Sequence, residues 1–255
     1  MADSGNDRVH LFGADGSFSR RFGNTGGQDR EFRFPLGIAV VNPDGGTYVA
    51  DTGNNRIQQF DNAGNHIRSW GTFGSGAGQF DTPTGIAVAA NTVIVADTGN
   101  NRIQRFSATG FFLAQFGRRG PADGQFVLPK GVALDAQRNI YVADSGNDRV
   151  QVFDTDETFV RSWGRGGSGP GEFKAMSDLT IDEDGNAVVA DTGNNRNQQF
   201  ALDGTFKRAI GRAGKAVGQF DAPIGVAVNA AGVLIVADAG NDRVQQFDLK
   251  RAAGE

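Results

Sequence analysis

Apolar residues in this chain come in short runs that alternate with polar positions, and each run is closed by glycine, asparagine or aspartate. Lys130-Gly131-Val132-Ala133-Leu134-Asp135 is one run, and the polar turn Ala136-Gln137-Arg138-Asn139 follows it. Ile140-Tyr141-Val142-Ala143-Asp144 comes next, then the loop Ser145-Gly146-Asn147-Asp148. Arg149-Val150-Gln151-Val152-Phe153-Asp154 alternates with period two, and Thr158 to Gly164 makes a fourth run. A glycine-rich stretch, Arg165 to Gly171, leads to Glu172-Phe173, where the pattern starts again. Period-two alternation filled with valine, isoleucine, phenylalanine and tyrosine predicts β-strands. No segment shows a helical period. Each unit therefore predicts four short strands, A to D in chain order.

The unit recurs. Ala-Asp-x-Gly-Asn-x-Arg stands at six places, with aspartates Asp3, Asp51, Asp97, Asp144, Asp191 and Asp238 spaced by 48, 46, 47, 47 and 47 residues. Periods of about 40 to 50 residues with four strands each are those of propeller blades. Four-stranded meanders packed radially bury both faces and leave only short edges. Solenoids, the main alternative for a repeat, use shorter β-units or helices. The prediction is one all-β domain over residues 1–255.

The string running from Gly-Gln-Phe through Pro-x-Gly-Ile-Ala-Val to Val-Ala-Asp-Thr-Gly-Asn-Asn-Arg resembles the NHL repeat. The Asn-His-Leu signature place holds Asn54-Asn55-Arg56, Asn100-Asn101-Arg102 and Asn147-Asp148-Arg149, so its His-Leu part is absent. The resemblance covers essentially the whole chain and implies a propeller, usually six-bladed.

Copies are unequal. Strand A is marked five times (Ile38, Ile86, Val132, Leu179, Val226), C six times and D five times, so the chain opens late in a strand B and stops after a strand C. Six blades, one holding only C and D, is the preferred reading. A five-bladed closure is the alternative, and a start in mid-repeat also fits an excerpt of a longer protein.

Composition narrows the function. The 38 glycines among 255 residues fit many turns, and the absence of cysteine excludes disulfides and thiolate metal sites. The net charge of −4, without a basic stripe, argues against nucleic acid. No apolar segment reaches membrane-spanning length, and Met1 to His10 lacks the regions of a signal peptide. The compartment stays open.

The repeated pairs Asp51/Arg56, Asp97/Arg102, Asp144/Arg149, Asp191/Arg196 and Asp238/Arg243 read as architecture, because a residue needed once per blade serves packing and guanidinium forks suit such pairing. The glycine-rich loops lack the Lys-Ser/Thr and helix of a phosphate cradle. His10 and His66, the only histidines, read as surface residues and supply neither a catalytic triad nor a metal site. More informative is the residue ahead of strand A, which differs in every unit: Leu36, Thr84, Lys130, Ser177 and Ile224. One unit departs further, with Met176-Ser177-Asp178 in place of Pro-x-Gly and Asn197 in place of valine or isoleucine. Asp178 is a candidate ligand or acceptor.

These residues predict a binding scaffold without cofactor or metal, which presents the channel mouth and the D–A and B–C loops to a protein or small ligand. The resemblance implies two alternatives: an enzyme of lactonase or lyase type with a metal at the channel, and an RNA-binding NHL domain. A homo-oligomer formed through the incomplete blade is a further expectation, since an open strand edge accepts another strand.

Overall fold

The computed structural model describes residues 1–13, 15–41, 46–89 and 91–250. It falls into two compact units, Met1–Arg119 and Gly120–Glu255, each carrying three antiparallel blade sheets.

In the first unit, blade 1 holds β1 (Ala2–Asp3), β2 (Arg8–Phe12) and β3 (Phe18–Phe22). Blade 2 holds β4 (Ile38–Val41), β5 (Gly46–Asp51), β6 (Arg56–Phe60) and β7 (His66–Trp70). Blade 3 holds β8 (Pro83–Ala89), β9 (Thr92–Asp97), β10 (Arg102–Ser107) and β11 (Phe112–Phe116). In the second unit, blade 4 holds β12 (Pro129–Leu134), β13 (Ile140–Asp144), β14 (Arg149–Phe153) and β15 (Phe159–Trp163). Blade 5 holds β16 (Asp178–Ile181), β17 (Asn186–Asp191), β18 (Arg196–Ala201) and β19 (Phe206–Ile210), and blade 6 ends with β20 (Pro223–Val228), β21 (Val233–Asp238) and β22 (Arg243–Asp248).

Six blade sheets are thus present, and the five-bladed count falls away. The expectation of a single C–D remnant needs correction too. Ala2–Asp3 pairs with β2 as a short strand B, so the first sheet lacks only A, while the last sheet lacks D.

Sheets stack through their apolar faces within each unit. Val9, Phe22, Phe32, Val49 and Phe60 fill the layer between blades 1 and 2. Ala143, Val150, Phe173, Leu179, Val189 and Phe200 do the same between blades 4 and 5. The aromatic that ends each incoming loop is the anchor: Phe32, Phe80, Phe126, Phe173 and Phe220 are all fully buried. Each meets the strand-C phenylalanine of the blade that follows, at centroid distances of 5.5–5.6 Å. Such tilted pairs add stabilisation beyond the area they bury.

Loops from D to A are more ordered than glycine-rich sequence suggests. Asn24–Thr25 pairs in parallel with Glu31–Phe32, Arg165–Gly166 with Glu172–Phe173, and Arg212–Ala213 with Gln219–Phe220. The B–C loops contain short 3-10 turns such as Ser145–Asn147, each closed by an Asx residue in the left-handed region.

Candidate functional site

The Asp-x-Gly-Asn-x-Arg loop joins one blade to the loops on both sides of it. In blade 5, Asp191 Oδ2 accepts Arg196 Nε–H at 2.7 Å and Gln198 Nε2–H at 3.0 Å, while Oδ1 accepts the Lys174 amide at 2.8 Å. The arginine fork reaches on to the incoming loop, donating Nη2–H to Gly169 O at 2.7 Å and Glu172 O at 2.9 Å. Asn194 donates to Gly167 O at 2.8 Å, and the Gly193 amide donates to Lys174 O at 2.8 Å. The same loop also reaches the next blade. Thr192 Oγ1–H donates to Pro223 O at 2.7 Å, and Asn195 Oδ1 accepts the Ala222 amide at 2.8 Å.

The other copies repeat this. Asp51, Asp97, Asp144 and Asp238 are fully buried and take the Nε–H of Arg56, Arg102, Arg149 and Arg243 at 2.7, 2.7, 2.9 and 2.7 Å. Burial and hydrogen bonding oppose each other at Asp97 and Asp238. At Asp97 burial outweighs its hydrogen bonds and pushes the carboxyl above its ordinary value. At Asp238 burial pushes the same way, but bonds from the Asp221 amide, Asn241, Arg243 and Gln245 hold the carboxyl below it.

Two components of this network escape the sequence reading. One is the strand-C glutamine, Gln58, Gln104, Gln151, Gln198 or Gln245, which donates to the aspartate and accepts an amide of the incoming loop. Its signal is plain in retrospect, since Arg-x-Gln recurs at fixed spacing. His10 takes this place in blade 1, so it is a half-buried strand residue 3.5 Å from Asp3 rather than a surface one. Burial, and then Arg8, hold its imidazole below the ordinary value. His66 is likewise half-buried, bonded to Ser69 Oγ at 2.8 Å.

The other is the residue just ahead of the proline position: Phe34, Thr82, Leu128, Ala175 and Ala222 all have φ between 47° and 53°. Non-glycine residues adopt this conformation only when their surroundings hold it. Here the amides of Phe34, Thr82, Ala175 and Ala222 are held by Asp7, Asn55, Asp148 and Asn195. The side chains of Phe34 and Leu128 point outward, 54% and 48% exposed.

The candidate ligand residues divide between the units. Leu36 and Thr84 stand at the start of strand A in unit 1, where Leu36 N bonds Ala50 O at 3.1 Å and Thr84 Oγ1 meets Thr98 Oγ1 at 2.7 Å. In unit 2, β12, β16 and β20 lie side by side and bring Lys130, Ser177, Asp178 and Ile224 into one neighbourhood. Ser177 Oγ lies 2.5 Å from Thr192 Oγ1 and 2.8 Å from Ile224 O, so its single hydrogen serves one of the two. Asp178 Oδ2 accepts the Val226 amide of the next blade at 3.0 Å, and Oδ1 accepts the Leu179 amide at 2.9 Å. Burial pushes its carboxyl up to about 7, against these two amides. Asn197 is fully buried in β18 with neither amide atom paired. Among the described residues no three histidine, aspartate or glutamate side chains converge as a metal site, and no helix is long and apolar enough to cross a membrane.

Comparison with known proteins finds the same repeat. A model of the NHL repeat matches residues 32–60, 80–106 and 220–247, and a model described as a 6-bladed beta-propeller matches residues 130–202. The chain carries NHL repeats. Among solved structures, this NHL propeller resembles a streptogramin B lyase at 15% identity and TM-score 0.60, covering 85% of this chain and 69% of that one. A virginiamycin B lyase from Staphylococcus aureus aligns at 12% identity and TM-score 0.61, over 98% and 80% of the two chains. The nidogen/laminin complex holds a chain at 18% identity and TM-score 0.59, over 84% and 80%. At these identities the likeness is one of fold. No curated protein sequence matches the chain.

Proposed function

We propose that this NHL propeller is a non-catalytic binding module whose loop face, at the entry to the inner strands, contacts a protein or a small ligand. The observation that carries this reading is the left-handed residue ahead of strand A. Its amide is held by the B–C loop of the preceding blade at Phe34, Thr82, Ala175 and Ala222, and its side chain ranges from alanine through threonine and leucine to phenylalanine. Phe34 is thereby held as an exposed apolar contact, Leu128 shares its left-handed backbone and its exposure, and Leu36, Lys130, Ser177 and Ile224 stand at the strand-A entries of their own blades. A side chain on a backbone that is already fixed loses less entropy on binding. The nidogen/laminin neighbour supports a binding role by fold analogy alone.

The test compares proteins captured by the immobilised chain with those captured by Phe34→Ser/Leu36→Ser and Leu128→Ser/Ile224→Ser variants. A bound set lost in the loop variants and kept by Asp203→Ser, in a C–D turn, is the expected result. Capture that ignores the loop changes overturns the reading.

An enzyme of lyase or hydrolase type is the second reading. Asp178 favours it, because a carboxyl pushed up to about 7 exchanges protons near neutrality. Turnover in a lactone-hydrolysis or lyase screen that vanishes in Asp178→Asn would replace the binding reading.

A further inference from the structure

The D strand of blade 3 forms an outer rim unlike those of the other four D strands. Strand D is the edge of its sheet, and natural sheets guard their edges with charge. β3 carries Arg20 and Arg21, β7 carries Arg68, β15 carries Arg161, and β19 carries Lys207 and Arg208. β11 reads Phe-Leu-Ala-Gln-Phe and carries no charge. The residue that leads into the strand changes as well. Ser17, Asn65, Thr158 and Thr205 hold that place elsewhere, whereas blade 3 holds Phe111, 74% exposed. Phe112 and Leu113 follow it, 37% and 52% exposed. Ile67 and Val160 are exposed at the Leu113 place too, but an arginine follows each directly. Arg105, opposite Ala114 on the inner strand β10, accounts for the alanine, because two arginines directly opposite repel. It accounts for neither Phe111 nor Leu113.

We propose that this rim is the contact through which two copies of the chain associate about a two-fold axis, with Phe111 and Leu113 as its anchors. Near such an axis each residue meets its own twin. A rim arginine would there face an arginine, and like charges brought together oppose association. A partner with acidic groups would instead be served by keeping the cation that the other four rims keep. The neutral apolar rim is the one that fits itself. Leu113 is the extra residue of a bulge, since Phe112 and Ala114 pair with Phe106 and Arg105 and no residue of β10 stands opposite it. A bulge interrupts a strand edge, so the copies meet through side chains rather than by extending the ladder.

Phe111 is fixed before any contact is made. Its carbonyl accepts Ser107 N–H at 2.9 Å, and its amide donates to Ser107 Oγ at 3.1 Å. The turn behind it is tied to blade 2, where Tyr48 Oη–H donates to Ala108 O at 3.2 Å and Arg68 Nη1–H to Thr109 O at 3.3 Å. The Phe112 ring stands edge-on to the buried Phe106 ring at 5.9 Å. Anchors held in this way lose less freedom on association. The three side chains offer about 300 Å² of apolar surface per copy, short of the ~800 Å² per partner of a standard interface. The dimer is therefore weak, with a dissociation constant on the order of 100 µM.

Sedimentation equilibrium of the 255-residue protein, from about 1 to 500 µM, tests this by mass action. A reversible monomer–dimer equilibrium is expected, weakened at least about tenfold by Phe111→Thr and lost in Phe111→Thr/Leu113→Lys. Blade 5 holds these replacements at the same places, as Thr205 and Lys207, so the blade sheet accommodates them. Circular dichroism checks that the variants fold, and if the double variant unfolds, Phe111→Thr alone carries the test. Val244→Lys, on β22, should leave the equilibrium unchanged. A protein that stays monomeric throughout overturns the inference and leaves the rim to a different partner. So does a dimer that survives the rim changes, and so does one that Val244→Lys dissolves, which would place the contact on blade 6.

Discussion

Asn197 lies directly opposite Ile210 in blade 5, fully buried, and neither the oxygen nor the nitrogen of its amide has a partner. In the blades on either side the same place carries Val150 or Val244, and Val150 faces the large ring of Trp163. A buried amide without bonds costs about 1–3 kcal/mol. Asn197→Val is therefore expected to raise stability by roughly that amount, read as the midpoint of denaturant unfolding at unchanged slope. A lower midpoint would mean that the amide is satisfied in solution.

Gly131 and Gly225 hold the same place in the repeat, yet their surroundings differ. A Cβ at Gly131 would stand 2.6 Å from Asp178 Cα, whereas one at Gly225 would meet nothing closer than Ala237 Cβ at 3.5 Å. Gly131→Ala must push β12 away from β16, a backbone displacement costing about 1–3 kcal/mol. Gly225→Ala is expected to be neutral within about 0.5 kcal/mol. Parallel thermal melts decide it, and equal shifts would refute the contrast.

Asp178 makes stability depend on pH in a definite direction. Burial pushes its carboxyl up to about 7 in the folded chain, from an ordinary 3.8. The ionised form is the one burial disfavours, so its contribution is harmless below pH 4, falls as pH rises, and levels off above about 7. Asp178→Asn removes that fall. The stability difference, variant minus wild type, should grow between pH 4 and pH 8, and a difference that is flat with pH would show that the carboxyl is not so displaced.

Arg102→Ala removes the cation from the buried Asp97, takes the donor from the carbonyls of Ser75 and Gly76, and leaves the Gln79 carbonyl to Gln104 alone. Breaking a buried pair from one side costs about 3–5 kcal/mol. Arg102→Lys should recover only part of it, because an ammonium cannot span the carboxylate and three carbonyls at once. Full recovery by lysine, in the same chemical denaturation, would show that charge alone matters.

Much of this was legible in the chain. The run from Lys130 to Gly164 reads as four strands, and the structure places them at Pro129–Leu134, Ile140–Asp144, Arg149–Phe153 and Phe159–Trp163. Strand alternation is local, so it survives in one dimension. The left-handed conformation of Thr82 is not local. Threonine gives no hint of it, and it exists because Asn55, in the preceding blade, takes the Thr82 amide at 2.8 Å. The same holds for Asp178, whose departure from glycine is visible in sequence but whose partner, the Val226 amide, lies 48 residues on.

The B–C loop grips the loop before its blade with Arg196 and Asn194 and the loop after it with Thr192 and Asn195. A copy of the unit therefore carries the sockets and the plugs of its own joints. A gene segment encoding one period, duplicated in frame, inserts a blade that already knows how to hold both neighbours. Growth by tandem duplication needs no new interface to be invented, and the near-identical loops at Asp51 and Asp97 are two such joints.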